Sequence, residues 1–334
     1  MAFGQQAKKM GEKSNGGNTS GEVYIPTHMP TGSGKRIFRV LSEVSNGQVV
    51  TTPRLSPNGV ELREGNKKTG KVLEVSQPAS EVGFMYAWWP VSINGVISPN
   101  TSRKLILDSN KRWDNPLWDH IKPNYEKGSK EYAAIKLAFA MNVYDKTPVV
   151  EFDGKVWYRS ETGWNLQAYG DKGKIETDKT KLPNVSADEV GKPFNQVRIF
   201  EGSYGSVNPP GKHLFQQIYN LVGQVEDGDG LIRSITEFDI RLTTTTDLTG
   251  AKDFTKTARS VMNLNKFETT PTEIELLPRF DLETWLTPWP DQAIIDLLDG
   301  ADYNQVLLDY GIQVTPKLIV PSVLDNSETP FDED

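Results

Sequence analysis

Five short segments set aromatic rings beside cations: Arg36-Ile37-Phe38-Arg39, Lys111-Arg112-Trp113, Lys155-Val156-Trp157-Tyr158-Arg159, Arg198-Ile199-Phe200 and Lys252-Asp253-Phe254-Thr255-Lys256. Flat rings stack on unpaired nucleobases while nearby cations hold the phosphates, and the stacking is worth roughly 1–3 kcal/mol per base with little sequence preference. A single-stranded polynucleotide is the ligand class that this pattern fits. The competing reading is structural: in a β-rich chain with 8 Trp, 11 Tyr and 13 Phe, most rings belong in the core. The pattern therefore carries more weight than any one of its residues.

Charge is divided along the chain. Residues 281–334 hold twelve carboxylates and one base, Lys317, which leaves 36 bases and 32 acids to residues 1–280. A body of +4 is thus joined to an end of −11 that finishes Glu328-Thr329-Pro330-Phe331-Asp332-Glu333-Asp334. Opposite charge on one chain favours self-screening, an interaction tail, or both. This layout suits a body that meets a polyanion and a tail that meets proteins.

Other chemistries find less support. The chain has no cysteine, which removes disulfides, thiol nucleophiles and thiolate zinc sites. His28, His120 and His213 are far apart and show no ligand spacing. Thr31-Gly32-Ser33-Gly34-Lys35-Arg36 invites a phosphate-loop reading, but Met29 stands where the motif needs Gly and Arg36 where it needs Ser or Thr. No pair among the 44 acids stands out for hydrolysis. The sequence contains no run of about 18 apolar residues and no apolar signal region at its start, so the expectation is a cytoplasmic protein with no membrane contact.

The elements that must position these residues read as mostly β. Lys35–Leu41 looks like a strand with bases on one face, and Glu81–Pro90 is the densest aromatic segment. Asn94-Gly95 and Asp153-Gly154 read as hairpin turns. Leu137–Tyr144 alternates as a strand, Val197–Phe200 is another, and His213–Gln224 has helical spacing. Ser234–Thr243 puts Phe238, Ile240 and Leu242 on one face, and Thr257–Leu264 is a further strand candidate. Residues 161–192 are polar and read as a loop or irregular insertion. Asp291–Asp299 and Tyr303–Asp309 read as two short acidic helices. The expected fold class is mostly β (α+β), an OB-fold-like barrel with an inserted helix, irregular insertions and disordered ends.

On these residues the chain resembles the phage single-stranded DNA-binding proteins of the T-even type. The basic arm, the opening strand Lys35–Leu41 and the strand pair Leu137–Tyr144 with Val149–Tyr158 carry the resemblance. So do the order Val197–Phe200, His213–Gln224, Ile235–Thr243 and the acidic tail. That family carries a Cys/His zinc site; with no cysteine here, the resemblance implies a metal-free insertion within 51–130 in its place.

The resemblance implies four parts: a flexible basic arm (1–34), a DNA-binding body (35–280), an acidic helical segment (281–320) and a disordered tail (321–334). It implies a protein, not an enzyme and without cofactor or metal, that coats single-stranded DNA during phage-type replication, recombination and repair in an infected cell. The DNA-binding residues expected are Arg36, Phe38, Arg39, Lys111, Arg112, Lys155, Trp157, Tyr158, Arg159, Arg198, Phe200, Tyr204, Arg241, Lys252, Phe254 and Lys256. Phe331, Asp332, Glu333 and Asp334 would recruit a polymerase, helicase or recombinase, and self-association along the DNA is left open. A virion structural or assembly protein is the alternative, and a hydrolase a more distant one.

Overall fold

The computed structural model describes residues 27–30, 34–41, 44–53, 61–65, 69–81, 83–91, 103–125, 135–153, 155–159, 164–166, 174–175, 191–204, 214–246, 257–267 and 277–320. The expectations for residues 1–26, for the Asn94-Gly95 turn and for the tail after 320 lie outside these residues.

The strands are, in chain order, β1 (Gly34–Val40), β2 (Val44–Pro53), β3 (Glu74–Glu81), β4 (Phe84–Val91), β5 (Arg103–Leu107), β6 (Lys136–Asp145), β7 (Pro148–Phe152) and β8 (Lys155–Arg159). After them come β9 (Trp164–Leu166), β10 (Lys174–Ile175), β11 (Lys192–Pro193), β12 (Gln196–Tyr204), β13 (Phe238–Thr246), β14 (Thr257–Phe267), β15 (Arg279–Phe280) and β16 (Leu318–Ile319). The helices are α1 (Pro116–Tyr125), α2 (Leu214–Tyr219), α3 (Leu282–Trp285), α4 (Asp291–Leu298) and α5 (Tyr303–Asp309). The fold is mostly β with few helices. Among the described residues, no helix is long and apolar enough to cross a membrane.

β6 is the organising strand. It is buried on both faces, with Phe139, Met141 and Val143 on one and Ala138, Ala140 and the hydrogen-bonded Asn142 on the other, so it sits inside a covered sheet. β12 pairs along one edge of β6 for nine residues. β4 and β1 share the other edge, β4 against Lys136–Ala140 and β1 against Val143–Asp145. β5 extends from β4, and β13 and β14 extend from β1, giving a seven-stranded sheet that is antiparallel throughout. Its two ends, β14 and β5, do not pair with each other among the described residues, so the sheet is open rather than closed into a barrel.

One face packs Phe38, Val40, Phe139, Met141, Phe200, Phe238 and Ile240 under α2, which supplies Leu214, Phe215 and Ile218. On the other, Tyr86, Ala138, Ala140, Val197 and Ile199 belong to a core that also takes Leu117 and Ile121 from α1. Leu282, Trp285, Trp289, Ile294, Leu297, Tyr303 and Val306 complete this core from the acidic helical stretch. Two carboxylates of that stretch cap helices: Asp281 accepts from the Thr284 N–H at 3.0 Å and Asp302 from the Gln305 N–H at 3.0 Å. A buried amide fastens it to the sheet. Asn142 on β6 donates to the Phe280 carbonyl (3.0 Å) and accepts from the Phe280 N–H (2.9 Å), as a strand neighbour would.

A second, five-stranded sheet runs in the order β10-β9-β8-β7-β11, with a small core of Val149, Val156, Tyr158 and Phe194. Asp153, at φ 50°, makes the turn between β7 and β8, as the Asp-Gly pair suggests. β9, β10 and β11 occupy parts of the 161–192 stretch and its end that the sequence reads as irregular.

Candidate functional site

Most of the base–aromatic strand residues are not on the surface. Arg36, Phe38, Arg39, Trp157, Tyr158, Arg198 and Phe200 are all buried, none more than 2% exposed. This corrects the expectation that they line a groove. Phe38 and Phe200 pack at 5.0 Å between ring centroids within the core under α2. Arg36 lies flat on Tyr158, 3.6 Å from the ring centroid, and its Nε donates to the Pro30 carbonyl at 2.9 Å. Arg198 pairs with Asp145 at 3.3 Å and donates to the His28 carbonyl; burial lowers its pKa to about 10, against the opposing pull of Asp145. Arg39 pairs with Asp239 at 2.8 Å, and Lys146 shares that carboxylate at 2.7 Å. Guanidiniums so deeply placed persist because each is paired or stacked. They hold strands together.

The other expected residues are scattered. Lys155 and Arg159 are exposed at the two ends of β8, and Arg241 is half-buried on β13. Tyr204 ends β12 opposite Leu137. Lys252, Phe254, Lys256, Phe331, Asp332, Glu333 and Asp334 lie outside the described residues. Lys111 is exposed and Arg112 half-buried on the loop before α1.

That loop borders a surface the base–aromatic pattern did not single out. Strand alternation sends Phe84, Tyr86 and Trp88 of β4 to one face, opposite Ala140, Ala138 and Lys136 of β6. Both alanines and Tyr86 are buried in the core that α1 and the acidic helical stretch cover, so the row of three rings meets water at Phe84 and Trp88. Gly83, at φ +77°, permits this start to β4, since a Cβ there would lie 2.6 Å from the Ala140 carbonyl oxygen. Phe84 is 40% exposed, Trp88 half-buried and Tyr86 covered. Cations reach Trp88 from both flanking strands, Lys104 of β5 at 5.3 Å and Lys136 of β6 at 4.9 Å from a ring centroid.

The loop extends the row. Arg112 donates to the carbonyl of Ile135, the residue before Lys136, and lies 4.3 Å over the Trp113 ring. Trp113 is 48% exposed and meets Trp118 edge-on at 4.4 Å. Asn115 caps α1 by accepting from the Trp118 N–H at 2.9 Å, with Pro116 next in line, and this fixes where the two indoles fall. Asp114 and Asp119 are exposed on the same stretch.

Glu201 of β12 stands opposite the buried Ala140, in line with Phe84. It accepts from the Tyr86 hydroxyl and the Lys104 ammonium, and His28 Nε2 lies 3.2 Å away, within ion-pair reach but off the line of an N–H···O bond. Burial alone would raise the Glu201 pKa, yet His28 and Lys104 reverse this and hold the group well below the usual carboxylate range. Tyr86 is pushed well above its ordinary value by burial and by the Glu201 charge. Trp285 of α3 closes this end, 5.8 Å from both Lys104 and the His28 ring.

Comparison with known proteins finds no family model, no curated protein and no solved structure that matches the chain.

Proposed function

We propose that the protein binds single-stranded DNA, with bases against Phe84 and Trp88 and the strand running past the Arg112–Trp113 loop. One observation carries this reading. Trp88 has an ammonium group from each neighbouring strand within 5.3 Å, in a row of rings that is open to water at Phe84. Rings supply sequence-tolerant stacking and the lysines supply phosphate contacts. With Asp114 and Asp119 on the same stretch, stacking contributes more than net charge.

On this reading the body serves as the OB-fold-like unit of a T-even type protein, with α2 as its inserted helix. It coats and protects DNA in replication and recombination in an infected cell, and its acidic tail recruits replication proteins through Phe331 and the acids after it. No catalytic step is part of the proposal.

Photocrosslinking with an oligonucleotide carrying 5-iododeoxyuridine tests the location. Crosslinked peptides containing Trp88 or Trp113 support the reading. Binding with every crosslink elsewhere contradicts it.

A further inference from the structure

We infer that Glu201 is a built-in competitor for the phosphate that Lys104 would hold, so that strand binding at this surface proceeds by opening the Glu201–Lys104 ion pair. The inference rests on the single-stranded DNA reading above. Lys104 is the cation placed among three rings, within 5.3–5.8 Å of Trp88, Tyr86 and Trp285, and its side chain is 23% exposed, so a phosphate can reach it. In the free protein its charge is already answered by Glu201.

Breaking a buried pair is costly when it strands a charge. Here it does not. Glu201 keeps the Tyr86 hydroxyl on one oxygen and His28 beside the other. Lys104 has the faces of Trp88 and Trp285 at 5.3 and 5.8 Å. The groups that face the carboxylate are thus Tyr86 from β4, Lys104 from β5 and His28 from the segment ahead of β1, with the uncharged Trp285 from α3. Losing Lys104 leaves the carboxylate one hydrogen-bond donor, Tyr86, and the nearby His28 imidazole. The ion pair sets a threshold: ligands that offer a phosphate near a stackable base open it, and ligands that offer only one of these do not.

Oligo-dT titrations of four chains, each first checked for folding by circular dichroism and thermal melting, decide the matter. Glu201→Gln keeps the shape of the group and removes its charge; binding should tighten about two- to fivefold at low salt, the size of one partly exposed ion pair. Lys104→Met should flatten the log–log salt slope by about 0.7, one phosphate contact on a single strand. In the double variant Glu201→Gln/Lys104→Met the gain should vanish. An equal gain with and without Lys104 would mean that Glu201 acts by general repulsion, and overturns the gate. Should Glu201→Gln fail to fold, the slope of Lys104→Met alone decides, and an unchanged slope overturns the gate as well. A wild-type chain that binds no oligo-dT removes the DNA reading and the gate together, whereas wild-type binding with Glu201→Gln no tighter removes only the gate.

Discussion

Lys136 and Trp88 face each other across the β4–β6 pairing, with the ammonium 4.9 Å from the indole centroid. A cation held over a ring is attracted by its π face. The pair offers a base a flat surface and a phosphate a charge within one strand spacing. Trp88 lies in the segment Glu81–Pro90, which the sequence marks as its densest run of aromatics.

Trp88→Ala and Trp113→Ala should each weaken oligo-dT binding by about 1–3 kcal/mol with the fold retained. Fluorescence anisotropy measures the affinity and a melting curve the fold. Variants that melt normally and bind like wild type would remove those rings from the interface.

Trp157→Ala and Phe200→Ala should behave differently. Both rings are buried, so truncation should cost on the order of 3–5 kcal/mol of stability. Denaturant unfolding reads this directly, and near-wild-type stability with reduced DNA affinity would return them to the surface.

The contrast shows what was legible in the sequence. Alternation in Phe238, Ile240 and Leu242 identified both the strand and its buried face, and all three are fully covered. The two short acidic helices read at Asp291–Asp299 and Tyr303–Asp309 match α4 and α5 to within a residue. Alternation could not show that both arginines of β1 are covered, one on each face. There Arg36 and Arg39 are as buried as Phe38, because Tyr158 and Asp239 wait for them from β8 and β13. Those partners are 122 and 200 positions away in the chain, and no local pattern announces them. The β4 row could have been found, since Phe84, Tyr86 and Trp88 alternate, but its cations come from β5 and β6 and not from adjacent positions.

Asp145→Ala should destabilise the protein by about 3–5 kcal/mol, the cost of leaving a buried charge unpaired. Arg198→Met should cost less, because Asp145 then keeps the field of Arg36 and the Thr147 N–H at 3.0 Å. Chemical denaturation of the two variants checks the order. The reverse order would show that the aspartate is not the keystone of the cluster.

Glu201 should make part of the stability acid-sensitive. Its folded pKa is depressed below the 4.5 of a free side chain, so its contribution is present in full above that value. It is lost as pH falls from there through the folded pKa, because the unfolded chain then binds the proton more tightly. Stability profiles between pH 2 and 7 should therefore differ between wild type and Glu201→Gln only on the acid limb. Parallel profiles would show that the carboxylate is not held ionised by His28 and Lys104.

Deleting residues 322–334 removes Asp325, Glu328, Asp332, Glu333 and Asp334 with no base, a segment of charge −5. A tethered anion reaches millimolar effective concentration and competes with incoming phosphate, so truncation should tighten DNA binding at low salt. Screening over about 8–10 Å at physiological strength should erase the difference. Phe331→Ala should leave DNA affinity unchanged while weakening partner docking, and equal affinity of full-length and truncated chains at low salt would remove the competition.

The most direct measurement is the salt dependence of oligo-dT binding to the truncated chain, followed by intrinsic tryptophan fluorescence. Lys104, Lys111, Arg112 and Lys136 border the row of rings, and four phosphate contacts on a single strand correspond to a log–log slope of about −3. The account predicts quenching on binding, a slope near that value, little preference among unstructured sequences and much weaker binding to duplex. No binding at low salt, or a salt-insensitive isotherm without quenching, would contradict it.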